Sequence, residues 1–310
     1  MTSVIEASNL TKRYSDFVAV DNLNLEIAEG EIFGFLGPNG AGKTTAILML
    51  LGLTVPSEGS ARIRGHDCTR EPIAVKSVTG YLPESLGFYG ELSARENLLY
   101  TGSLNGMSRM DAVERAEHVL EEVGLGARAG QRVAQVSHGM RQRLGFADVL
   151  MKRPQVVIMD EPTQGIDAAS VPGMLNLITG MSKEEGITVM VSSHQLHYMQ
   201  RICSRVGIIS QGRLVATGTI EELARQSGGG DSMVMELEVV KLDGNLQREL
   251  THVPGVKGVM VKGNVLAVEC TSDVRSDLAR VALEHGDGLQ SMRSTDTVLE
   301  EIYLRYFQEE

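Results

Sequence analysis

Apolar positions along the first 226 residues follow two rhythms. Short unbroken runs occur at Ile32-Phe33-Gly34-Phe35-Leu36, Val156-Val157-Ile158-Met159, Ile187-Thr188-Val189-Met190-Val191 and Val206-Gly207-Ile208-Ile209. Runs of this kind belong to strands buried on both faces, as in a parallel sheet. Between them the spacing lengthens to a helical period. Ser93-x-x-Glu96 is a capping box, in which each side chain answers an amide at a helix start. Met110, Val113, Ala116, Leu120 and Val123 predict one apolar helix face that Gly124 ends. Strands alternating with helices describe an α/β domain.

The rhythm changes after Ser227-Gly228-Gly229-Gly230-Asp231, a Gly/Ser stretch that reads as a linker. A strand at Met233–Val240 precedes a short helix near Leu246. Strands at Val256–Val261 and Val265–Val268 flank Lys262-Gly263-Asn264, a hairpin turn. A helix from about Ser272 to Leu283, a strand near Leu289–Met292 and a last helix from about Asp296 complete the pattern. The order βαββαβ with an added helix predicts a small α+β sandwich of ferredoxin-like type. The expected organisation is an α/β domain over 1–226, a linker over 227–231, and an α+β domain over 232–310.

Composition acts mainly by exclusion. A chain of 310 residues, 42% hydrophobic and 22% charged, is expected to be soluble and globular. The net charge of −11, most of it after the linker, disfavours a nucleic-acid partner and a polybasic membrane anchor. No run approaches the roughly 18 apolar residues of a membrane span, and the start MTSVIEASNL lacks an export signal. Cys68, Cys203 and Cys270 are scattered, which excludes a disulfide framework and fits a reducing cytoplasm.

Candidate chemistry begins at Gly37-Pro38-Asn39-Gly40-Ala41-Gly42-Lys43-Thr44, a match to G-x-x-x-x-G-K-[ST]. It follows a predicted strand and opens a predicted helix, Thr45 to Leu51. Glycines let successive backbone amides face phosphates, and the helix N-terminus adds partial positive charge. Lys43 is expected on the β- and γ-phosphates and the Thr44 hydroxyl on magnesium. Asp160 and Glu161 end a buried strand, beside the phosphate loop in an open α/β sheet. Asp160 there can hold magnesium, and Glu161 can polarise a water for attack on the γ-phosphate.

With these motifs in order, the chain resembles the ATP-binding subunits of ABC transporters from Ile5 to about Leu223. Val136-Ser137-His138-Gly139-Met140 is similar to the family signature LSGGQ, departing from it with His138 for a glycine and Met140 for the glutamine. The resemblance implies that Ser137, His138, Gly139 and Met140 face the ATP held by a partner subunit. It likewise implies that Tyr14 stacks on adenine, with Thr45 also in the nucleotide site. His194 would contact the γ-phosphate, Asp167 would communicate across a dimer, and Glu84, where most members carry Gln, would ligate magnesium or the water. Phe88 to Glu96 looks like the ATPase of the nitrous oxide reductase maturation transporter, and Thr297 to Tyr303 is similar to the C-terminal ending of drug, antibiotic and ion exporter ATPases.

The implied fold is a phosphate-loop ATPase with a parallel core sheet, an antiparallel β subdomain and a helical subdomain. The implied function is hydrolysis of magnesium-ATP at a dimer interface, by a homodimer or with a homologous ATPase, to drive a separate transmembrane permease. The protein would then sit peripherally at the cytoplasmic face of the membrane. Two alternatives are a soluble ATPase of this class acting in translation or repair, and a ligand-sensing regulator. The first would bring long coiled-coil insertions or a second ATPase unit, and neither is present in this sequence.

Overall fold

The computed structural model describes residues 2–226, 233–240, 244–271, 274–285, 288–295 and 299–308. The chain divides into two compact units, Met1–Thr217 and Gly218–Glu310.

The first unit holds two sheets. The antiparallel one has the order β2-β1-β4-β5, from β1 (Ser3–Tyr14), β2 (Phe17–Ala28), β4 (Glu58–Ile63) and β5 (His66–Asp67). The second is six-stranded, β10-β9-β3-β8-β7-β6. Its members are β3 (Ile32–Leu36), β6 (Thr79–Leu82), β7 (Val156–Asp160), β8 (Thr188–Ser193), β9 (Arg205–Ser210) and β10 (Arg213–Gly218). Pairing is parallel from β9 through β3, β8 and β7 to β6. Every residue of β3, β7 and β8 is buried, as the unbroken apolar runs require. Phe33 and Phe35 are fully buried in the core between the sheets, with Leu10, Leu23, Ile27 and Ile47.

Helices α1 (Lys43–Leu50), α2 (Pro72–Val78), α6 (Val171–Lys183) and α7 (Leu196–Ile202) connect strands, while α3 (Ala94–Leu104), α4 (Arg109–Glu122) and α5 (His138–Leu150) pack on one another. The capping box at α3 is formed in full: Ser93 accepts from the Glu96 amide while Glu96 accepts from the Ser93 amide. The apolar face of α4 differs from the expected one. Ala112, Ala116, Val119 and Leu120 are buried, whereas Met110 is 77% exposed. Met110 lies two residues before Ala112, about 200° around the helix from it, and so points away from that face.

The second unit begins with α8 (Ile220–Gln226) and continues β11 (Met233–Val239), α9 (Gly244–Thr251), β12 (Val256–Lys262), β13 (Val265–Cys270), α10 (Arg275–His285), β14 (Leu289–Thr295) and α11 (Leu299–Gln308). The unit boundary thus precedes α8 rather than following residue 226. Leu223 of α8 is fully buried and the helix packs with α11. The predicted linker 227–231, and the expected helix starts at Ser272 and Asp296, lie outside the described residues. The sheet is antiparallel with order β12-β13-β11-β14, the interleaved order of a ferredoxin-like sandwich. Met235, Leu237 and Val239 face a core with Leu246, Leu266 and Leu278, while Glu236 and Glu238 face outward.

Candidate active site

Strand β3 ends at Leu36 and the chain turns through residues 37–42 into α1. The turn depends on glycine. A Cβ on Gly42, at φ +102°, would stand 2.3 Å from the Ala19 carbonyl oxygen, and one on Gly37 would stand 2.5 Å from that of Ile209. The Ala41 amide donates to Pro38 O, closing the loop. No side chain caps α1 and no acid stands in its first turn, so its leading amides and partial positive charge are left for an anion. Lys43 is buried at the mouth of the loop, where its ammonium donates to Gly37 O at 2.7 Å and Pro38 O at 3.2 Å.

The acidic wall comes from the C-terminal ends of β7 and β8, beside the end of β3. Asp160 Oδ2 accepts from the Thr44 hydroxyl at 2.8 Å, and Oδ1 accepts from Ser192 Oγ. Glu161 turns out of the strand with φ +49°, a conformation uncommon outside glycine, and its amide is held by Ser192 O. That turn brings its carboxylate between two partners. Oε2 lies 3.0 Å from His194 Nδ1 and accepts from the His194 amide at 3.4 Å. Oε1 lies 3.6 Å from Lys43 Nζ and is buried without a hydrogen-bond partner. Glu161 is only 7% exposed, and its Oε1 keeps lone pairs that no hydrogen bond uses. Burial first, then the carboxylates of Asp160 and Glu84, push the neighbouring Tyr81 phenol up to about 12.

These groups open onto a pocket of about 420 Å³, of the size small ligands occupy. Asn39, Gly40, Lys43, Thr44, Thr45 and Glu84 line it along with the two acids. Gly37 and Ala41 are buried and Pro38 is exposed, and none of the three lines the pocket. Tyr14 does not line the pocket; its ring carries Lys12 Nζ at 5.0 Å from the centroid. Phe17, its partner across the β1–β2 hairpin and 63% exposed, does line it. Ser137 caps α5, its hydroxyl accepting from the Met140 amide at 3.3 Å. Ser137, His138, Gly139, Met140 and Asp167 stay off the pocket wall; of these, His138 contacts Gln164, which lines it. Phe17 and Ser192 had no role in the sequence reading, which noted Gln164 only as standing where a Ser is commoner in the loop before Asp167. An aromatic three residues after Tyr14 on a tight hairpin was the available signal for Phe17.

The residues fit magnesium as well as phosphate. A hydroxyl and a carboxylate already in contact, with a second carboxylate on the same wall, suit an ion held by few protein oxygens plus phosphates. A glycine-built phosphate cradle at the strand ends of a parallel sheet, facing an Asp-Glu pair, defines a nucleoside-triphosphate hydrolase of the phosphate-loop class.

Residues 20–164 match the ABC transporter family. The chain is 34% identical over 306 residues to the linearmycin resistance ATP-binding protein LnrL of Bacillus subtilis, covering 97% of each. It is 39% identical to the bacitracin transport ATP-binding protein BcrA of Bacillus licheniformis, over 73% of each. Among solved structures, a dimeric bacterial ABC transporter cassette is 25% identical with TM-score 0.64, over 70% of this chain and 98% of that one. The chain belongs to the ABC transporter family, as an ATP-binding subunit whose hydrolysis of ATP drives a separate transmembrane component. No helix among the described residues is long and apolar enough to cross a membrane.

Proposed function

We propose that this chain powers an exporter as one of two copies, or with a homologous ATPase, docked peripherally on a transmembrane permease at the cytoplasmic face of the membrane. The observation that carries the catalytic reading is the Glu161 carboxylate, pinned by His194 on one oxygen and free to accept on the other. ATP lays its phosphates on the amides of residues 39–45, with Lys43 on the β- and γ-phosphates. Thr44 and Asp160 would hold magnesium, with Glu84 beside them; the ion neutralises phosphate charge when bound. Glu161 takes a proton from water as that water's oxygen bonds to the γ-phosphorus and the bond to the β–γ bridging oxygen breaks. His194 holds Glu161 through Nδ1, leaving its other ring nitrogen for the γ-phosphate. Phe17 offers its exposed face to the base, with Tyr14 beside it across the hairpin.

Ser137, His138, Gly139, Met140 and Asp167 serve the nucleotide of the second copy, which supports the two-copy reading because they stay off this chain's own pocket wall. One named relative is a linearmycin resistance protein and the other a bacitracin transport protein, which supports an exported substrate of the antibiotic class. The second unit, with its own core, is read as a regulatory or dimer-stabilising domain. The test is affinity purification of the tagged full chain from detergent-solubilised membranes. A co-purifying protein with several apolar spans of about 20 residues each supports the proposal. Recovery of the chain with ribosomes or nucleic acid instead would overturn it.

A further inference from the structure

His138 occupies a glycine position of the family signature, and its ring is engaged. Nε2 lies 3.2 Å from the carbonyl oxygen of Gln164. A carbonyl only accepts, so Nε2 carries the proton and donates. Gly165, at φ +70°, makes room for the ring: a Cβ there would stand 3.1 Å from Nε2. One residue further, Gly139 faces the same segment, since a Cβ on it would meet the Ser170 hydroxyl at 3.9 Å. The start of α5 therefore rests on residues 164–170.

The other end of that segment is tied to the backbone of Glu161. The Gln164 amide donates to Glu161 O at 3.1 Å, and the Thr163 hydroxyl donates to Gln195 Oε1 at 3.0 Å. Gln195 directly follows His194, which holds Glu161 Oε2. A hydrogen-bonded path thus runs from the His138 ring through Gln164 to the backbone of Glu161.

We infer that His138 is a positioning residue that ties the signature end of α5 to the turn carrying Glu161 in the same chain. Capture of a partner's nucleotide by Ser137 and Gly139 then bears directly on the Glu161 carboxylate. The inference rests on the two-copy site proposed above. A glycine at 138 has no side chain with which to make this link. Removing one such hydrogen bond changes a rate by about twofold to tenfold.

The experiment uses the full-length chain with His138→Ala, His138→Gln and Glu161→Gln. His138→Ala should lower kcat about twofold to tenfold. His138→Gln, whose amide N–H reaches the same carbonyl, should regain most of the loss. Long-range nitrogen–proton spectra of the wild type should place the imidazole proton on Nε2. Wild-type kcat in His138→Ala, failure of His138→Gln to improve on it, or a proton on Nδ1 alone would each overturn the inference. Glu161→Gln separates the two readings. Retained turnover there removes the catalytic assignment itself. An inactive Glu161→Gln beside an unaffected His138→Ala removes only the link.

Discussion

Gly42→Ala is the substitution whose cost the structure defines most sharply. The new methyl would occupy a left-handed backbone, at about 1–2 kcal/mol. It would also stand 2.3 Å from the Ala19 carbonyl oxygen, against an ordinary contact of about 3.4 Å, so the loop must shift by roughly 1 Å. Strain of that order adds about 1–3 kcal/mol. The sum, about 2–5 kcal/mol, lowers the melting temperature of a unit this size by about 4–20 °C. The shift also displaces the first amides of α1 from the phosphates. Losing two charge-assisted hydrogen bonds weakens ATP binding by more than about 100-fold. Gly40→Ala is the comparator for stability: φ is +82°, yet nothing lies within 4 Å of the added methyl. It should cost only the backbone term, about 1–2 kcal/mol. Scanning fluorimetry and isothermal titration calorimetry measure both quantities. A Gly42→Ala protein that melts like wild type and binds ATP within threefold of it would refute the reasoning.

Phe17→Ala should raise the Kd for ATP by about 5- to 100-fold, the worth of one aromatic–base stack, and by more than Tyr14→Ala does; equal effects in calorimetry would remove Phe17 from the base site. Leu237→Ala, in the core of the second unit, should destabilise that unit by about 2–5 kcal/mol while ATP affinity stays at the wild-type value. Loss of nucleotide binding in that variant would contradict two separate cores. Asp67 provides the pH test: amides of Arg70 and Thr69, each at 2.9 Å, stabilise its carboxylate and hold its pKa below the ordinary value. A depressed folded pKa means stabilisation that is present above the unfolded value of about 3.9 and lost as pH falls through the folded one. Asp67→Asn should therefore lower the melting temperature at neutral pH, with the difference vanishing in strong acid, and a difference constant with pH would count against it.

Which parts of this were legible in the chain follows from how local their causes are. Strands β3, β7 and β8 are buried on both faces, so their apolar runs are continuous and readable. The P-loop and the Asp160-Glu161 pair were readable because each lies in one short segment. The β1–β2 hairpin was not, because Asn9 and Asn22 adopt positive φ and register shifts at Ala7/Leu10 and Leu10/Lys12 break the period-two alternation. The unit boundary was hidden for a different reason. Nothing in the residues of α8 alone shows that the helix packs with α11, at the far end of the described chain. The face of α4 was misjudged at Met110 because a methionine in the first turn fits an apolar pattern whether or not anything covers it. Contacts such as His138 with Gln164, 26 residues apart, leave no local trace.

The central claim is that Glu161 is the base of an ATP hydrolase whose phosphate loop binds independently of it. Turnover and ATP affinity of Glu161→Gln, measured beside Lys43→Ala, test this most directly. Glutamine keeps the size and the contact with His194 but loses the basicity. Turnover should fall about 100- to 10,000-fold. ATP affinity should stay within a few-fold of wild type, and a dimer should accumulate with ATP and magnesium on size exclusion. Lys43→Ala should instead lose binding and form no such dimer. Near-normal turnover by Glu161→Gln would contradict the account.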